Sequence, residues 1–416
     1  MTPDTLDRFR RPAFSALPAR SSPSIRGRWR ATLLVLLAIV VGMIGWSGHV
    51  LALPVAMIFP SLWALSPSRL VVGVVSAGYF LAASRGLPQG VANFYAADLW
   101  PGLLFWLAAS VSFVGVHTAL WPKGSGRWPP GRGMAVRYLA AAALMALPPF
   151  GIAGWAQPLT AAGVLFPGWG WLGLAATAAG LMAMTSRYWP MAAIVLGGFW
   201  LWSAATSAPP KLPEGWKGVD LDLGQSLGRD GSLAHHRDLI ATVRAAASGN
   251  TRFIVLPESA LGFWTPTVSR HWQRGLRDLD VTVLAGAAVI DVGGYDNVLV
   301  AISANKASVL YRERMPVPLS MWQPWRAWFG ASGGARAQFF ANPVVEIKGT
   351  RIAALICYEQ LILWPALQSM LHSPDIIVAT GNGWWTAGTS IIEIQKAGVA
   401  AWARLFGLPV VMSFNS

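Results

Sequence analysis

Residues 351–359 read RIAALICYE, an apolar run that ends directly in a thiol and a carboxylate. The run is short, apolar and bounded by polar residues, which favours a buried β-strand. A second run of the same character, 252–256, leads into the tetrapeptide PESA at 257–260. In α/β folds, functional side chains often come directly after buried strands. The two strand ends therefore predict a shared site that contains Cys357 and Glu258.

Cys357 and Glu258 form a chemically sensible pair. A free cysteine has a pKa of ~8.5, so at neutral pH it is mostly the protonated, weakly nucleophilic thiol. A desolvated glutamate with a raised pKa accepts that proton and later returns it to a leaving amine. The backbone N–H of Tyr358 follows the cysteine directly and can serve as an oxyanion donor. Taken alone, Cys357 also fits a core thiol, and Glu258 also fits a cap of the next element.

The second half of the chain, 218–416, alternates short β-rich runs with helical ones, a pattern typical of α/β layers with helices outside a sheet core. It follows a Pro-rich linker at 207–217. The expected strands are 219–223, 252–256, 281–290, 297–303, 308–312, 344–347, 351–357, 375–379 and 409–414, and the expected helices are 235–247, 363–371 and 390–405.

The first half has a different composition. Up to residue 206 the acids are Asp4, Asp7 and Asp98, whereas the other 15 of the 18 acids lie beyond. This half carries repeated apolar runs near the ~20 residues that cross a bilayer. They predict a membrane bundle of about seven spans within 31–206. The expected spans are 31–46, 51–65, 70–84, 99–121, 138–155, 159–184 and 188–205.

A net charge of +14 is compatible with nucleic-acid binding, but the positions of the basic residues follow membrane topology instead. They precede the first expected span and follow the second, fourth and sixth, and cationic loops stay in the cytoplasm. Segment 1–30 is therefore expected in the cytoplasm and the domain after 206 outside it. No direct nucleic-acid binding is expected. These residues are Arg8, Arg10, Arg11, Arg20, Arg26, Arg28, Arg30, Arg69, Lys123, Arg127, Arg132, Arg137 and Arg187, and Arg85 alone falls on the outer side.

The strand-end motifs resemble those of the carbon–nitrogen hydrolase (nitrilase) superfamily, which uses a Glu–Lys–Cys triad on an αββα sandwich. Residues 257–260 are similar to its Glu motif, and 356–359 to the Cys motif of its apolipoprotein N-acyltransferase branch. Residues 295–297 also resemble the segment at the corresponding place in the superfamily. A multi-span bundle followed by a periplasmic domain is that branch's layout. Residues 311–325 and 382–385 look closer still to plasmid conjugal-transfer members of the superfamily.

The resemblance departs at the third member of the triad. The superfamily's Lys sits two residues after a strand Tyr, but here Tyr311 is followed by Arg312 and then Glu313. Arginine holds carboxylates and oxyanions, although it does not shuttle protons as lysine can. We therefore expect Arg314 in place of the Lys, with Arg312 and Glu359 in support. We expect Glu313 to turn away or to pair with a neighbouring arginine, because a second carboxylate would raise the pKa of the thiol.

The resemblance implies an acyltransferase or amide hydrolase on the periplasmic face of the bacterial inner membrane, without a cofactor or metal. Cys357 would hold an acyl group, taken from a lipid or an amide, as a thioester. The implied partners are the lipid bilayer and proteins of a plasmid conjugation apparatus. The missing Lys leaves a non-catalytic membrane scaffold or assembly factor of that apparatus open. The chain stops before the acyltransferase's last strands and closing helix, so a C-terminally shortened sandwich is expected.

Overall fold

The computed structural model of the protein describes residues 25–122, 133–225 and 231–416. Most of the expected basic segment 1–30, and Lys123, Arg127 and Arg132, lie outside these ranges. The helices are α1 Ile25–Gly45, α2 Phe59–Leu65, α3 Arg69–Ala83, α4 Leu87–Tyr95, α5 Leu99–Leu120, α6 Gly133–Leu144, α7 Ala162–Leu165, α8 Gly170–Met184, α9 Trp189–Thr206, α10 Leu233–Ala246, α11 Pro266–Gly275, α12 Leu363–Met370 and α13 Ile391–Phe406. Short 3₁₀ turns occupy Val50–Ile58, Phe150–Ala153, Pro158–Ala161, Pro324–Phe329, Cys357–Gln360 and Trp384–Thr386.

Two sheets form the core of the second half. The first has the order β1-β2-β3-β4-β5, in which β1 to β3 are parallel and β4 and β5 are antiparallel additions. The second has the order β6-β7-β8-β9, in which β6 is antiparallel and the others are parallel. The strands are β1 Trp216–Gly218, β2 Phe253–Val255, β3 Thr282–Asp291, β4 Gly294–Ile302, β5 Ala307–Arg312, β6 Val345–Ile347, β7 Thr350–Ile356, β8 Ile376–Asn382 and β9 Val410–Asn415.

Most expected elements appear within a few residues of their predicted bounds, with two differences. The first strand begins at Trp216, inside the expected linker, whereas the expected strand 219–223 contributes an isolated bridge between Leu221 and Asn415. Helix α11 was not expected from the sequence. Its apolar residues are few, and it buries Trp272. A helix with so little apolar surface gives a weak periodic signal.

Side chains alternate between the two faces of each strand, and this alternation builds four layers. In β2, Val255 packs between the sheets, whereas Ile254 packs in the core formed with α10 and α11. In β7, Ala354 faces the other sheet, whereas Ala353 packs in the core that contains α12 and α13. The second half is therefore a helix–sheet–sheet–helix sandwich, as the sequence predicted.

The outer helices of the second sheet also pack against the first half of the chain. Trp364 of α12 and Trp402 of α13 share one buried core with residues of helices α1 to α9, called the membrane-type helices, such as Tyr79 and Phe113. The contact is closest at Gly163 in α7, where an ideal Cβ would lie 1.7 Å from the carbonyl oxygen of Ala401. The two halves therefore meet through helices that leave no room for a methyl group.

The helices do not clearly show the expected bundle of about seven spans. Within the described residues, α1, α5 and α9 are long and apolar enough to cross a membrane, and the pair α3–α4, bent by 52°, makes a fourth if it counts as one span. Val50–Leu65, Gly133–Leu144 and Gly170–Met184 are shorter apolar helices. Proline and 3₁₀ turns interrupt several runs, as at Pro54. A hydropathy average over a window of residues measures apolar content. It therefore does not detect the positions at which a helix is interrupted.

Side-chain contacts show which helix ends lie together. Arg30 near the start of α1 donates to the carbonyl of Leu65 at the end of α2, and Arg69 at the start of α3 donates to carbonyls at the end of α5. At the opposite end, Arg85 after α3 lies 3.5 Å from the hydroxyl of Ser390, just before α13. Arg30 and Arg69 therefore mark the end of the bundle that points away from the sandwich.

We expect Gly163→Ala to destabilise the protein, because the added methyl group would overlap the carbonyl oxygen of Ala401 and force α7 away from α13. Overpacking of this kind costs ~1–3 kcal/mol. Thermal unfolding of the purified protein in detergent measures the effect. Gly198→Ala in α9 is the matched control, since nothing lies within 4 Å of its Cβ position. Equal unfolding temperatures for the two variants would contradict this packing.

Candidate active site

Cys357 and Glu258 lie together where strands of the two sheets end. Glu258 comes shortly after β2, and Cys357 comes directly after β7. Both residues are only 4% exposed, and their thiol and carboxyl groups lie close enough for each to shift the pKa of the other. The backbone of Asn382, at the end of β8, lies near both groups and lowers the pKa of each. The structure thus brings together the two residues that the strand-end motifs singled out.

Cys357 sits on a sharp strand-to-helix turn, Cys357–Gln360, called the Cys357 turn below. Its φ of +45° lies in the left-handed region that residues other than glycine rarely adopt. Strained turns of this type expose a nucleophile at the end of its strand and present the next backbone N–H. Glu359 holds the turn, because its carboxylate accepts the backbone N–H of Ile356 at 2.8 Å and of Arg314 at 2.7 Å.

The Cys357 turn also touches the membrane half and helix α13. The Tyr358 hydroxyl donates to the carbonyl of Ile152 at 2.6 Å, which anchors the turn to the membrane-type helices. Gln395 of α13 donates to the carbonyl of Cys357 at 3.2 Å and lies 3.8 Å from its sulfur. The side chain of Tyr358 thus anchors the turn, and the oxyanion role expected of its backbone N–H stays a prediction.

Glu313, rather than an arginine, is the third buried group near the thiol. The side-chain nitrogen of Asn297 in β4 donates to Glu258 at 2.8 Å and to Glu313 at 2.9 Å, which holds the two carboxyl groups side by side. The expectation that Glu313 turns away or pairs with an arginine was wrong, because among the described residues it lies near the thiol and forms no ion pair. Tyr311 packs between the sheets, so the residue two positions further along points the same way.

Both arginines expected near the site are engaged elsewhere. Arg314 is fully buried, and its guanidinium lies 3.6 Å from the carboxylate of Glu359. Its other acceptors are Tyr311 at 2.8 Å, Gln368 at 3.0 Å and Ser369 at 3.0 Å. Arg312 points to the rim, where it pairs with Asp296. Among the described residues neither guanidinium contacts the thiol, so the expected replacement of the superfamily's Lys by Arg314 is not the geometry observed.

Asn297 and Gln395 are site residues that the sequence reasoning did not assign. Asn297 lies within residues 295–297, which are similar to a segment of the superfamily. It also lies across from Glu313 in the β4–β5 hairpin, and this pairing could have indicated that Asn297 belongs to the site. Gln395 had no such signal, because its contact with Cys357 joins residues that are far apart in the sequence.

Burial raises the pKa of all three ionisable groups. It raises the pKa of Glu258 to about 7, although the hydrogen bonds from Asn297 and Cys357 oppose the change. Burial, followed by the nearby charges of Glu258 and Glu359, raises the pKa of Glu313 well above the ordinary carboxyl value. Burial and the charges of Glu258 and Glu313 likewise raise the pKa of the Cys357 thiol. The raised pKa values favour the neutral forms of the thiol and of Glu313, whereas a pKa of about 7 leaves Glu258 partly ionised at neutral pH.

A family model described as carbon-nitrogen hydrolase matches residues 81–404. The chain belongs to the carbon–nitrogen hydrolase family. Glu258, Asn297, Glu313 and Cys357 all lie inside the matched range, so the buried cluster falls within the carbon–nitrogen hydrolase region. The match begins before the sandwich and includes several of the membrane-type helices.

Several proteins are similar to this carbon–nitrogen hydrolase chain. It is 69% identical to conjugal transfer protein TraB of Agrobacterium fabrum over the whole of both chains. It is 62% identical to probable conjugal transfer protein TraB of Sinorhizobium fredii, over 94% of this chain and all of that one. An (R)-stereoselective amidase of Pseudomonas is 25% identical over 39% of this chain and 61% of its own length. Among solved structures, a mutant amidase of Nesterenkonia from the nitrilase superfamily is 12% identical, with a TM-score of 0.36, over 49% of this chain and 78% of that one.

The raised pKa of Glu313 predicts a pH-dependent stability with a defined sign. An acid whose pKa is raised on folding binds its proton more tightly in the folded state, so stability falls as the pH rises above the unfolded value. We expect Glu313→Gln to raise the unfolding temperature at about pH 8, and the gain to shrink at about pH 5. Thermal unfolding in detergent across this range measures the difference. Glu346→Gln, at an exposed position in β6, is the control. A gain that does not change with pH would contradict a buried, neutral Glu313.

Proposed function

We propose that the protein is a membrane-anchored enzyme that transfers or hydrolyses an acyl group through a thioester on Cys357. The observation that carries this proposal is the thiol–carboxyl pair on a strained strand-to-helix turn. With a pKa of about 7, Glu258 is available at neutral pH both as a base and as an acid. The proposed context is plasmid conjugation, because the relatives named conjugal transfer protein TraB align with nearly the whole chain.

The proposed reaction has two half-reactions. In the first, the Glu258 carboxylate takes the thiol proton while the sulfur of Cys357 attacks the acyl carbon. The tetrahedral intermediate then expels an amine or alcohol, which receives the proton from Glu258. In the second, Glu258 removes a proton from water or an acceptor amine as that group attacks the thioester. The sulfur leaves with the bonding electrons and regains the proton, which restores the resting thiol.

The oxyanion of each intermediate needs hydrogen-bond donors. The backbone N–H of Tyr358 is one, because it follows the nucleophile on the Cys357 turn. We assign the second to Glu313. A carboxylic acid that burial keeps neutral can donate a hydrogen bond to a developing oxyanion. One carboxyl oxygen of Glu313 is buried without a hydrogen-bond partner in the part of the chain that the structure describes, so it can face a substrate.

A non-catalytic role is the second candidate. One observation favours it: the thiol lies beside two carboxyl groups, and no cation among the described residues contacts it. Such surroundings oppose formation of the thiolate in the absence of a substrate. The protein would then be a membrane scaffold or assembly factor of the conjugation apparatus, with the sandwich kept as a binding surface.

We also propose that the chain passes the bacterial inner membrane several times, with its N-terminus in the cytoplasm and the sandwich in the periplasm. Arg30 and Arg69 lie at the end of the bundle away from the sandwich, and cationic ends stay cytoplasmic. The finer count of seven passes uses α1, Val50–Leu65, α3, α5, α6, α8 and α9, of which three are long enough to cross alone. The shorter segments would cross inside the bundle, where neighbouring helices satisfy their backbone groups.

Reporter fusions test this topology. We expect a reporter joined after Arg69 or after Arg187 to be active in the cytoplasm, and one joined after Pro209 to be active in the periplasm. Alkaline phosphatase and green fluorescent protein at the same three sites give opposite readouts, so each serves as the control for the other. A cytoplasmic reporter at Pro209 would exclude a periplasmic enzyme.

Substitution of the paired residues tests catalysis. We expect purified protein in detergent to release nitrophenol from a short-chain nitrophenyl ester and to gain the mass of one acyl group. Cys357→Ala should abolish both signals, and Glu258→Gln should slow release by at least ~100-fold, the scale of general-base catalysis. Glu346→Gln should react like the parent. Intact-protein mass spectrometry counts the acyl groups, and mass spectrometry of proteolytic peptides locates the adduct.

The same variants separate the two candidate functions in cells. If catalysis supports conjugation, plasmid transfer should fall with Cys357→Ala and with Glu258→Gln while both proteins accumulate in the membrane. A scaffold needs its surface rather than the thiolate, so transfer would continue at the parental frequency. Parental transfer by both variants at normal protein levels rules out the enzymatic role.

A further inference from the structure

A cavity of about 400 Å³ lies apart from the candidate active site, beside the end of α9. Its walls come from the segment before α8, the last turns of α9 and the end of α13. Most of the lining is apolar and includes Trp169, Phe199 and Trp202. Arg404 of α13 is the charged residue in this lining. The cavity therefore combines an aromatic surface with one cation.

Arg404 is buried without a counter-charge. The residue is 9% exposed, and its guanidinium donates to the hydroxyl of Ser203 at 3.3 Å. Its Nε is buried without a hydrogen-bond partner, and no ion pair in the described parts of the chain includes it. Because a guanidinium stays charged in proteins, burial without an anion is unfavourable. Because Arg404 lines the cavity, an anionic ligand bound there would supply the counter-charge.

The cavity lies where the proposed bilayer surface meets the sandwich. Helix α9 ends at Thr206, and apart from the buried Leu196 and Ser203 its residues are exposed or half-buried. Trp169 is 53% exposed and Trp202 is 70% exposed, as expected for an aromatic belt at a membrane interface. An anion bound here would have water on one side and hydrocarbon on the other.

This place is distinct from the acyl site. Gln395, which contacts Cys357, and Arg404 are both on α13. They are nine residues apart, which is roughly 13 Å along a helix axis. Neither Cys357 nor Glu258 lines the Arg404 cavity, so we assign a ligand there a role other than that of acyl donor. It would instead hold α9 against α13, the helix that supports the Cys357 turn.

We propose that Arg404 binds the phosphate group of a phospholipid from the adjoining membrane leaflet, with the acyl chains lying along Trp202 and Phe199. Guanidinium groups bind phosphate oxygens through paired, charge-assisted hydrogen bonds. The aromatic walls suit the glycerol and first methylene groups of a lipid, whereas a free phosphate ion would leave oxygens facing apolar surface. The bound lipid supplies the counter-charge and joins α9 to α13.

Thermal unfolding of the full chain in detergent, after removal of lipid, tests this site. The probes are short-chain phosphatidylglycerol, diacylglycerol of the same chain length, and inorganic phosphate. We expect phosphatidylglycerol to raise the unfolding temperature by several degrees and the other two to have little effect. Arg404→Gln should remove the response. Arg187→Gln, at the opposite end of α9, is the matched control and should keep it.

An equal shift with inorganic phosphate would show that the site binds a small anion rather than a lipid, and it would overturn the proposal. No shift with phosphatidylglycerol, or an unchanged shift in Arg404→Gln, would overturn it as well. Ser207→Asp gives a second test should Arg404→Gln fail to accumulate, because it places a carboxylate at the same cavity. It should raise the unfolding temperature without lipid and remove the response to phosphatidylglycerol, and an unaltered response would contradict the site.

Discussion

The buried carboxylate of Glu359 connects the two sheets at the point where the chemistry is expected. It accepts backbone N–H groups from Ile356, before the Cys357 turn, and from Arg314, after β5. It also accepts the hydroxyl of Tyr311 and pairs with the guanidinium of Arg314. A buried charge is tolerated only when such partners compensate for lost hydration. The requirement fixes the ends of β5 and β7 relative to each other, and so places Glu313 near the thiol.

This arrangement decides the electrostatics of the site. Because Arg314 is used to compensate Glu359, its charge is not available to the thiol, which is left with Glu258 and Glu313 as neighbours. Burial raises the pKa of Glu313 and so favours its neutral form, and Asn297 joins it to Glu258. The proposed mechanism therefore uses a base, a nucleophile and a neutral acid, where the superfamily's triad, by resemblance, has a cation.

Helix α13 links the chemistry to the membrane half. Its first half carries Gln395 against the Cys357 turn, and its last turn carries Arg404 beside the cavity at α9. Between them, Ala401 packs against Gly163 of α7 without room for a methyl group. Displacement of the membrane-type helices would therefore reach the Cys357 turn through a rigid, closely packed element.

The sequence by itself determined the local features of this protein. It predicted the strand ends that carry Glu258 and Cys357, and it showed the change of composition near residue 206 and the family resemblance, because these depend on short-range periodicity and on motifs of consecutive residues. Only the tertiary structure decided the partners of those residues. It turned Glu313 inward, paired Arg314 with Glu359, divided the expected spans into long and short helices, and left Arg404 unpaired beside a cavity. Local pattern sets which face a side chain occupies, but the group opposite that face comes from distant segments whose packing only the complete fold specifies.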